Sequence, residues 1–138
     1  MKTATQTKKL GRVLPVFVYG TLKEGHGNHR VIGWATDRVV QAELDGALMH
    51  DLGPYPAAVP GTGSIRGELV YLDPQELAPA MVGLDQLEGV AFGLYRREMV
   101  TVTTVHGIDV DAWVYWYSQD LRGAPVVASG DWTKGGPR

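Results

Sequence analysis

Glycine and proline punctuate this sequence so densely that it reads as short strands joined by turns, not as a bundle of helices. They supply 18 and 8 of its 138 residues. Against that background one segment reads as a substantial helix. Asp73-Pro74-Gln75-Glu76 offers a capping Asp, a Pro at the first helical position and a Glu three residues after the cap. Gly89 is a natural stop. Pro79 falls inside this span, which predicts a kink there or a second short helix starting at it.

The strands are read from β-branched and aromatic runs. Leu14 to Tyr19 is a short central strand, with Pro15 confined to its start and Gly20 at its end. Asn28 is positioned to cap a short helix, His29 to Trp34. Arg38 to His50 reads as one or two strands. Two turn-rich clusters follow, Gly53-Pro54-Tyr55-Pro56 and Pro60-Gly61-Thr62-Gly63, with a brief apolar piece between them. Ser64 to Leu72 is another strand, in which Gly67 marks a bulge or a close backbone approach. Leu94 to Val105 and Ile108 to Ser118 form the strongest strand pair, joined by a two-residue turn at His106-Gly107. The count is about six strands and one main helix. Strands and helices do not alternate as in a doubly wound fold. The expectation is a small single-domain α+β protein, a mixed sheet curled into a barrel with a few packed helices. Its domain spans 13–120, between a flexible N-terminal tail at 1–12 and an irregular C-terminal tail at 121–138.

Composition excludes several chemistries. There is no Cys, so disulfides, thiolate nucleophiles and Cys-held zinc or iron–sulfur sites are ruled out. Absent Cys suits a reducing compartment, and a cytoplasmic location is expected. The net charge of -2, with acids and bases interspersed, gives no footprint for nucleic acid. No apolar run approaches the ~20 residues of a membrane span. Lys2, Lys8, Lys9 and Arg12 precede no apolar segment, so the N-terminus does not read as a secretory signal. His26 and His29 with Glu24 make a weak metal site lacking a third ligand. Ser64, Ser118 and Ser129 lack a nucleophile-elbow context. Glu68 is a second strand acid that could face the pocket, but a place at the surface or a pairing with Arg66 or Arg97 is the expectation.

One acid is out of place. On a helix over residues 80–88, at about 100° per residue, Met81 lies about 60° from Leu84 and Glu88 about 40°. Glu88 thus continues the apolar stripe. It also sits at the C-terminal end, where the helix dipole disfavours a negative charge. Desolvation and dipole would both raise its pKa, suiting it to proton transfer near neutrality. Helix ends fray, and the bland alternative is a glutamate that swings out to water. The turn at Gly20-Thr21-Leu22 would leave backbone amides without ladder partners, and such amides bind anions.

Two stretches together carry a resemblance. Tyr19-Gly20-Thr21-Leu22-Lys23, with Gly25 and Asn28-His29 following, and Leu84-Asp85-Gln86-Leu87-Glu88-Gly89, followed by Tyr95-Arg96-Arg97, resemble the two signatures of the γ-glutamylcyclotransferase-like proteins. That family includes γ-glutamylamine cyclotransferases, the AIG2-like proteins of plants and the butirosin-pathway deprotecting enzyme. Tyr55 to Gly61, Gly67-Glu68 and Ala112 to Tyr115 extend the likeness over about Val16 to Tyr117. The resemblance implies a small mixed barrel and an intramolecular aminolysis. The substrate's own α-amine attacks its γ-carbonyl, giving 5-oxoproline and a free amine, with no cofactor or metal. It implies that Glu88 is the general acid and base. It implies that Gly20, Thr21 and Leu22, with Tyr19 at the strand end, hold the substrate. Tyr95 is expected to bond substrate or Glu88, and Tyr115 or Tyr117 to line the pocket. The implied partner is a small γ-glutamyl molecule, without nucleic acid or membrane, on a monomer or homodimer. The alternative is a non-catalytic member of the fold that binds a small metabolite.

Overall fold

The computed structural model describes residues 13–134. The expected N-terminal tail at 1–12 and the loose end from Gly135 lie outside the described residues. Val16-Phe17-Val18 forms β1 (Val16–Val18), and all three side chains are buried, because both faces of this strand are covered, Phe17 by the barrel interior and Val16 and Val18 by the helices. It pairs antiparallel with β3 (Pro56–Leu72), Phe17 opposite Leu69. On its other edge it runs parallel to β5 (Asp109–Tyr117), Val16 opposite Trp113. With β2 (Thr36–Asp51) and β4 (Tyr95–Thr104) the sheet closes as a mixed barrel in the order β1-β3-β2-β4-β5.

Side-chain alternation along the strands makes two cores. Phe17, Leu44, Ile65, Leu69, Val102 and Val114 fill the barrel. Val16, Val18, Val70, Tyr95 and Tyr115 face outward, under Ile32 of α1 (Arg30–Gly33) and Ala80 and Leu84 of α2 (Leu77–Leu87).

The described residues hold five strands, not six, and two of them are long. Arg38 to His50 is one strand. The piece at Ala57 to Val59 and the strand from Ser64 are also one, continuous through Pro60-Gly61-Thr62-Gly63. The glycines there permit close packing and do not turn the chain. A Cβ on Gly61 would lie 2.7 Å from Leu48 Cγ, and one on Gly63 would lie 2.9 Å from Leu48 Cδ2. The paired strands shift register between Asp45 and Ala47, where Gly46 takes φ 80°. At Gly67 the expected close approach is present, since a Cβ would overlap the Val18 carbonyl oxygen and the Phe17 ring. The β4–β5 hairpin keeps its position, but its connection is four residues, Val105 to Ile108, and not the two-residue turn expected at His106-Gly107. Its strands stop at Thr104 and restart at Asp109, with Gly107 at φ 76° in the turn.

Asp73 caps a single 3-10 turn, Pro74–Glu76, by accepting from the Gln75 amide at 3.0 Å. α2 then starts at Leu77, so Pro79 neither begins a helix nor kinks one. It sits in the first turn, where the missing N–H had no partner to lose. Residues 121–134 contain no helix or extended strand, yet they are bonded along the barrel. Val127 N donates to Met49 O at 2.8 Å, Arg66 N donates to Gly130 O at 2.7 Å, and Trp132 is buried in the barrel core. Among the described residues no helix is long and apolar enough to cross a membrane.

Candidate active site

The chain leaves β1 at Val18, and the turn that follows meets the end of α2. Lys23 N donates to Gly20 O at 3.1 Å and Asn28 N donates to Thr21 O at 2.8 Å, which folds residues 20–28 into successive turns. Asn28 does not cap α1. Its side-chain amide donates to Thr21 Oγ1 at 2.9 Å, and its own backbone is taken up in the loop. Within this loop the amides of Gly20, Thr21 and Leu22 donate to no backbone carbonyl among the described residues. Gly20 is required by contact: a Cβ would lie 2.7 Å from Pro56 Cγ.

The opposite wall is the last turn of α2. Leu77, Ala80, Met81 and Leu84 form its buried stripe, anchored by Leu84, which is fully buried. Glu88 continues that stripe as the C-terminal cap, its amide donating to Leu84 O at 2.9 Å. Gly89 at φ 63° then turns the chain away. The Glu88 carboxyl is pushed up to about 7 by its removal from water.

Between these walls lies a cavity of about 200 Å³. Tyr19, Gly20, Thr21, Leu22, Glu88 and Tyr95, all singled out from sequence, line it together. Tyr117 does not. It stands behind Tyr95, ring edge to face at 5.2 Å, and borders the neighbouring groove. Tyr115 lines the cavity in its place. Three tyrosine hydroxyls are already committed. Tyr19 donates to Tyr115 O at 2.6 Å, Tyr95 to Pro56 O at 2.8 Å and Tyr115 to Asp85 Oδ1 at 2.6 Å. Burial foremost holds all three phenols far above their ordinary range, with the Glu88 charge next for Tyr19 and the bond to Asp85 next for Tyr115. Asp85 also takes a two-pronged bond from Arg97, at 3.0 and 3.2 Å, which ties the end of α2 to β4. Among the described residues no Lys, Arg or His lines the cavity, and Glu88 is the only acid that does.

Sequence reasoning missed Asn28, Pro56 and Leu87 as lining residues. The signals were weak: a capping type, a turn residue and an ordinary helix-face leucine. Glu68 was misplaced. It is buried, and it accepts from Glu24 N at 2.7 Å and from Gln41 Nε2 at 3.1 Å. Arg66 pairs instead with Glu43, and Arg97 with Asp85. A buried carboxylate needs donors, and the loop amide supplied one. Glu68 belongs to a larger cavity of about 710 Å³ beside the loop. There Lys23 Nζ donates to Asp131 Oδ1 at 3.1 Å and to Trp132 O at 2.6 Å. Both buried charges are thus engaged in fastening the loop and the C-terminal segment. His26 and His29 do not converge: His29 Nδ1 lies 2.9 Å from Leu22 O, while His26 Nδ1 is buried without a partner.

Residues 16–134 match the family model described as γ-glutamyl cyclotransferase, AIG2-like. The γ-glutamylcyclotransferase family protein YtfP of Escherichia coli strain K12 is 34% identical over 119 residues, covering 85% of this chain and 94% of YtfP. The γ-glutamylaminecyclotransferase of Bos taurus is 35% identical over 109 residues, or 67% of this chain and 58% of that protein. The solution structure of YtfP from Escherichia coli superposes with a TM-score of 0.63 at 31% identity, covering 88% of this chain and 97% of that one. A closed mixed barrel, a turn of free amides facing a desolvated helix-end acid, and these matches together place the chain in the γ-glutamyl cyclotransferase, AIG2-like family.

Proposed function

We propose that this protein cleaves a γ-glutamyl amide by cyclisation, releasing 5-oxoproline and a free amine. The observation that carries the reading is Glu88. It is a carboxyl group titrating near neutrality, set in a cavity that Gly20, Thr21 and Leu22 also line, and the amides of these three donate to no backbone carbonyl among the described residues. A γ-glutamyl group presents an α-carboxylate and an α-ammonium side by side. With no cationic side chain lining the cavity among the described residues, the carboxylate falls to the amides. The ammonium then faces Glu88. The ionised carboxylate takes one proton from it, and the freed amine attacks the γ-carbonyl carbon. As the ring closes, the bond from that carbon to the leaving nitrogen breaks. Glu88 returns its proton to that nitrogen, then takes the second proton that the attacking nitrogen must shed to become the lactam N–H, and passes it to the released amine, which departs as an ammonium and leaves Glu88 ionised. Protons balance, and no water is consumed.

One group can serve both steps because its pKa lies near the working pH. The apolar surroundings that raise it also keep out the water that would hydrolyse the amide. The nucleophile is already part of the substrate, so holding the folded-back conformer supplies much of the rate. The phenols of Tyr19, Tyr95 and Tyr115, kept protonated and bonded, act as fixed walls.

The test is 5-oxoproline release from a panel of γ-glutamyl amides by native protein and by Glu88→Gln. Loss of a positioned general acid–base costs about 10²–10⁴-fold. Equal activity of the two would remove Glu88 from the chemistry. No release from any amide by the native protein would remove the cyclisation reading itself.

A further inference from the structure

The Glu88 cavity leaves little room beyond a γ-glutamyl group. At about 200 Å³ it falls below the ~300–1,000 Å³ usual for small-molecule sites, so a leaving half of any size extends beyond it. The leaving amine must project through the mouth. There a second depression of about 580 Å³ begins, and the two share Tyr55 and Leu94. Leu52, Phe92, Tyr117, Gln119, Asp120 and Arg122 complete its wall.

Phe92 is the unusual member. It is 90% exposed, the most exposed large apolar side chain among the described residues. It is nevertheless not on a loose loop. Its turn, Val90–Phe92, is closed on both sides by left-handed glycines, Gly89 and Gly93. Leu94 N donates to Gly89 O at 3.1 Å, Ser118 N to Leu94 O at 2.9 Å, and Gln119 Nε2 to Gly93 O at 2.7 Å. The ring is thus held out over the depression by a braced backbone, where it contributes nothing to the folded core. Tyr55 and Leu87, also exposed, stand at the same mouth. An apolar rim continuous with a reaction cavity is a binding feature.

We infer that the depression bounded by Tyr55, Leu94, Phe92 and Tyr117 receives the leaving half of the substrate, and that this half is an amine with an apolar, aromatic-sized body. The inference rests on the cyclisation reading above. Asp120 and Arg122 bear opposite charges, so the groove has no net preference for a charged amine. Its selectivity comes from apolar contact, chiefly stacking on Phe92 and Tyr117.

The experiment measures kcat/KM for 5-oxoproline release from three substrates: γ-glutamylmethylamide, γ-glutamylbenzylamide and γ-glutamylglycine. Native protein is expected to favour the benzylamide over the methylamide by at least ten-fold, and over the glycine conjugate as well. Phe92→Ser, at a position exposed enough to spare the fold, is expected to cut the benzyl-to-methyl ratio about ten-fold, and Phe92→Tyr to restore it. A native ratio near one, a preference for the glycine conjugate, or a ratio unchanged by Phe92→Ser would overturn the inference while the cyclisation reading stands. Absence of release from all three substrates would take both down together.

Discussion

Glu88→Gln should make this protein more stable above neutral pH while inactivating it. The folded-state carboxyl titrates at about 7, against an ordinary 4.5. Between those values the folded protein binds more protons than the unfolded chain, so stability falls as pH rises through that window. Below about 4.5 the group is protonated in both states and costs nothing. Above about 7 the folded state must carry a charge that the unfolded chain carries in water. At 1.36 kcal/mol per pH unit the full penalty is about 3 kcal/mol, and water at the cavity mouth reduces it toward about 2. Glutamine keeps the shape and removes the charge. For a chain of this size, each kcal/mol moves the melting temperature by about 3–4 °C. Thermal melts of native protein and variant at pH 5, 6, 7 and 8.5 should therefore diverge progressively. The variant should lead by about 6–10 °C at pH 8.5 and by little at pH 5. A gap that does not change with pH, or a variant that is less stable at pH 8.5, would refute the claim that Glu88 is held away from water. A residue whose removal stabilises the fold is retained for what it does, not for what it supports.

The same ionisation should appear in turnover. With Glu88 as the first proton acceptor, kcat/KM for a γ-glutamyl amide should rise with pH and level off past an inflection near 7, and an inflection below 5 would contradict the carboxyl's environment. Gly20→Ala places a methyl 2.7 Å from Pro56 Cγ, at the junction of the amide turn and β3. Displacing that turn should cost at least ten-fold in kcat/KM but only about 1–3 kcal/mol of stability, read by parallel kinetics and urea melts. Lys23→Met removes the bonds to Asp131 and Trp132 O that hold the C-terminal segment. Limited proteolysis should then cut within residues 121–134 faster than in the native protein, and an unchanged cleavage rate would show that Trp132 packing alone retains the segment.

What could be read from the sequence was whatever depends on period and local chemistry. The stripe Met81 and Leu84 leading to Glu88 needed only the helical repeat, and the structure seats it against the barrel as that repeat requires. The β4–β5 hairpin needed only two aromatic, β-branched runs and a glycine between them. The length of β2 and β3 was hidden because glycine has two uses. At Gly61 and Gly63 it makes room for Leu48, and nothing local distinguishes that from a turn. The fate of Glu68 was hidden because its partners, Glu24 N and Gln41 Nε2, lie 44 and 27 residues away and one of them is a backbone group with no sequence signature. Trp132 was hidden in the same way, since one buried indole in an aperiodic segment leaves no pattern. The site divides along the same line. Glu88 was visible because it breaks a local pattern, an acid where the stripe calls for an apolar side chain. Asn28, Pro56 and Leu87 fit their local patterns and became visible only when the barrel brought the turn after β1 against the end of α2. A residue that violates its own element's rule can be found by reading along the chain, whereas one that obeys it is found only by asking what folds against it.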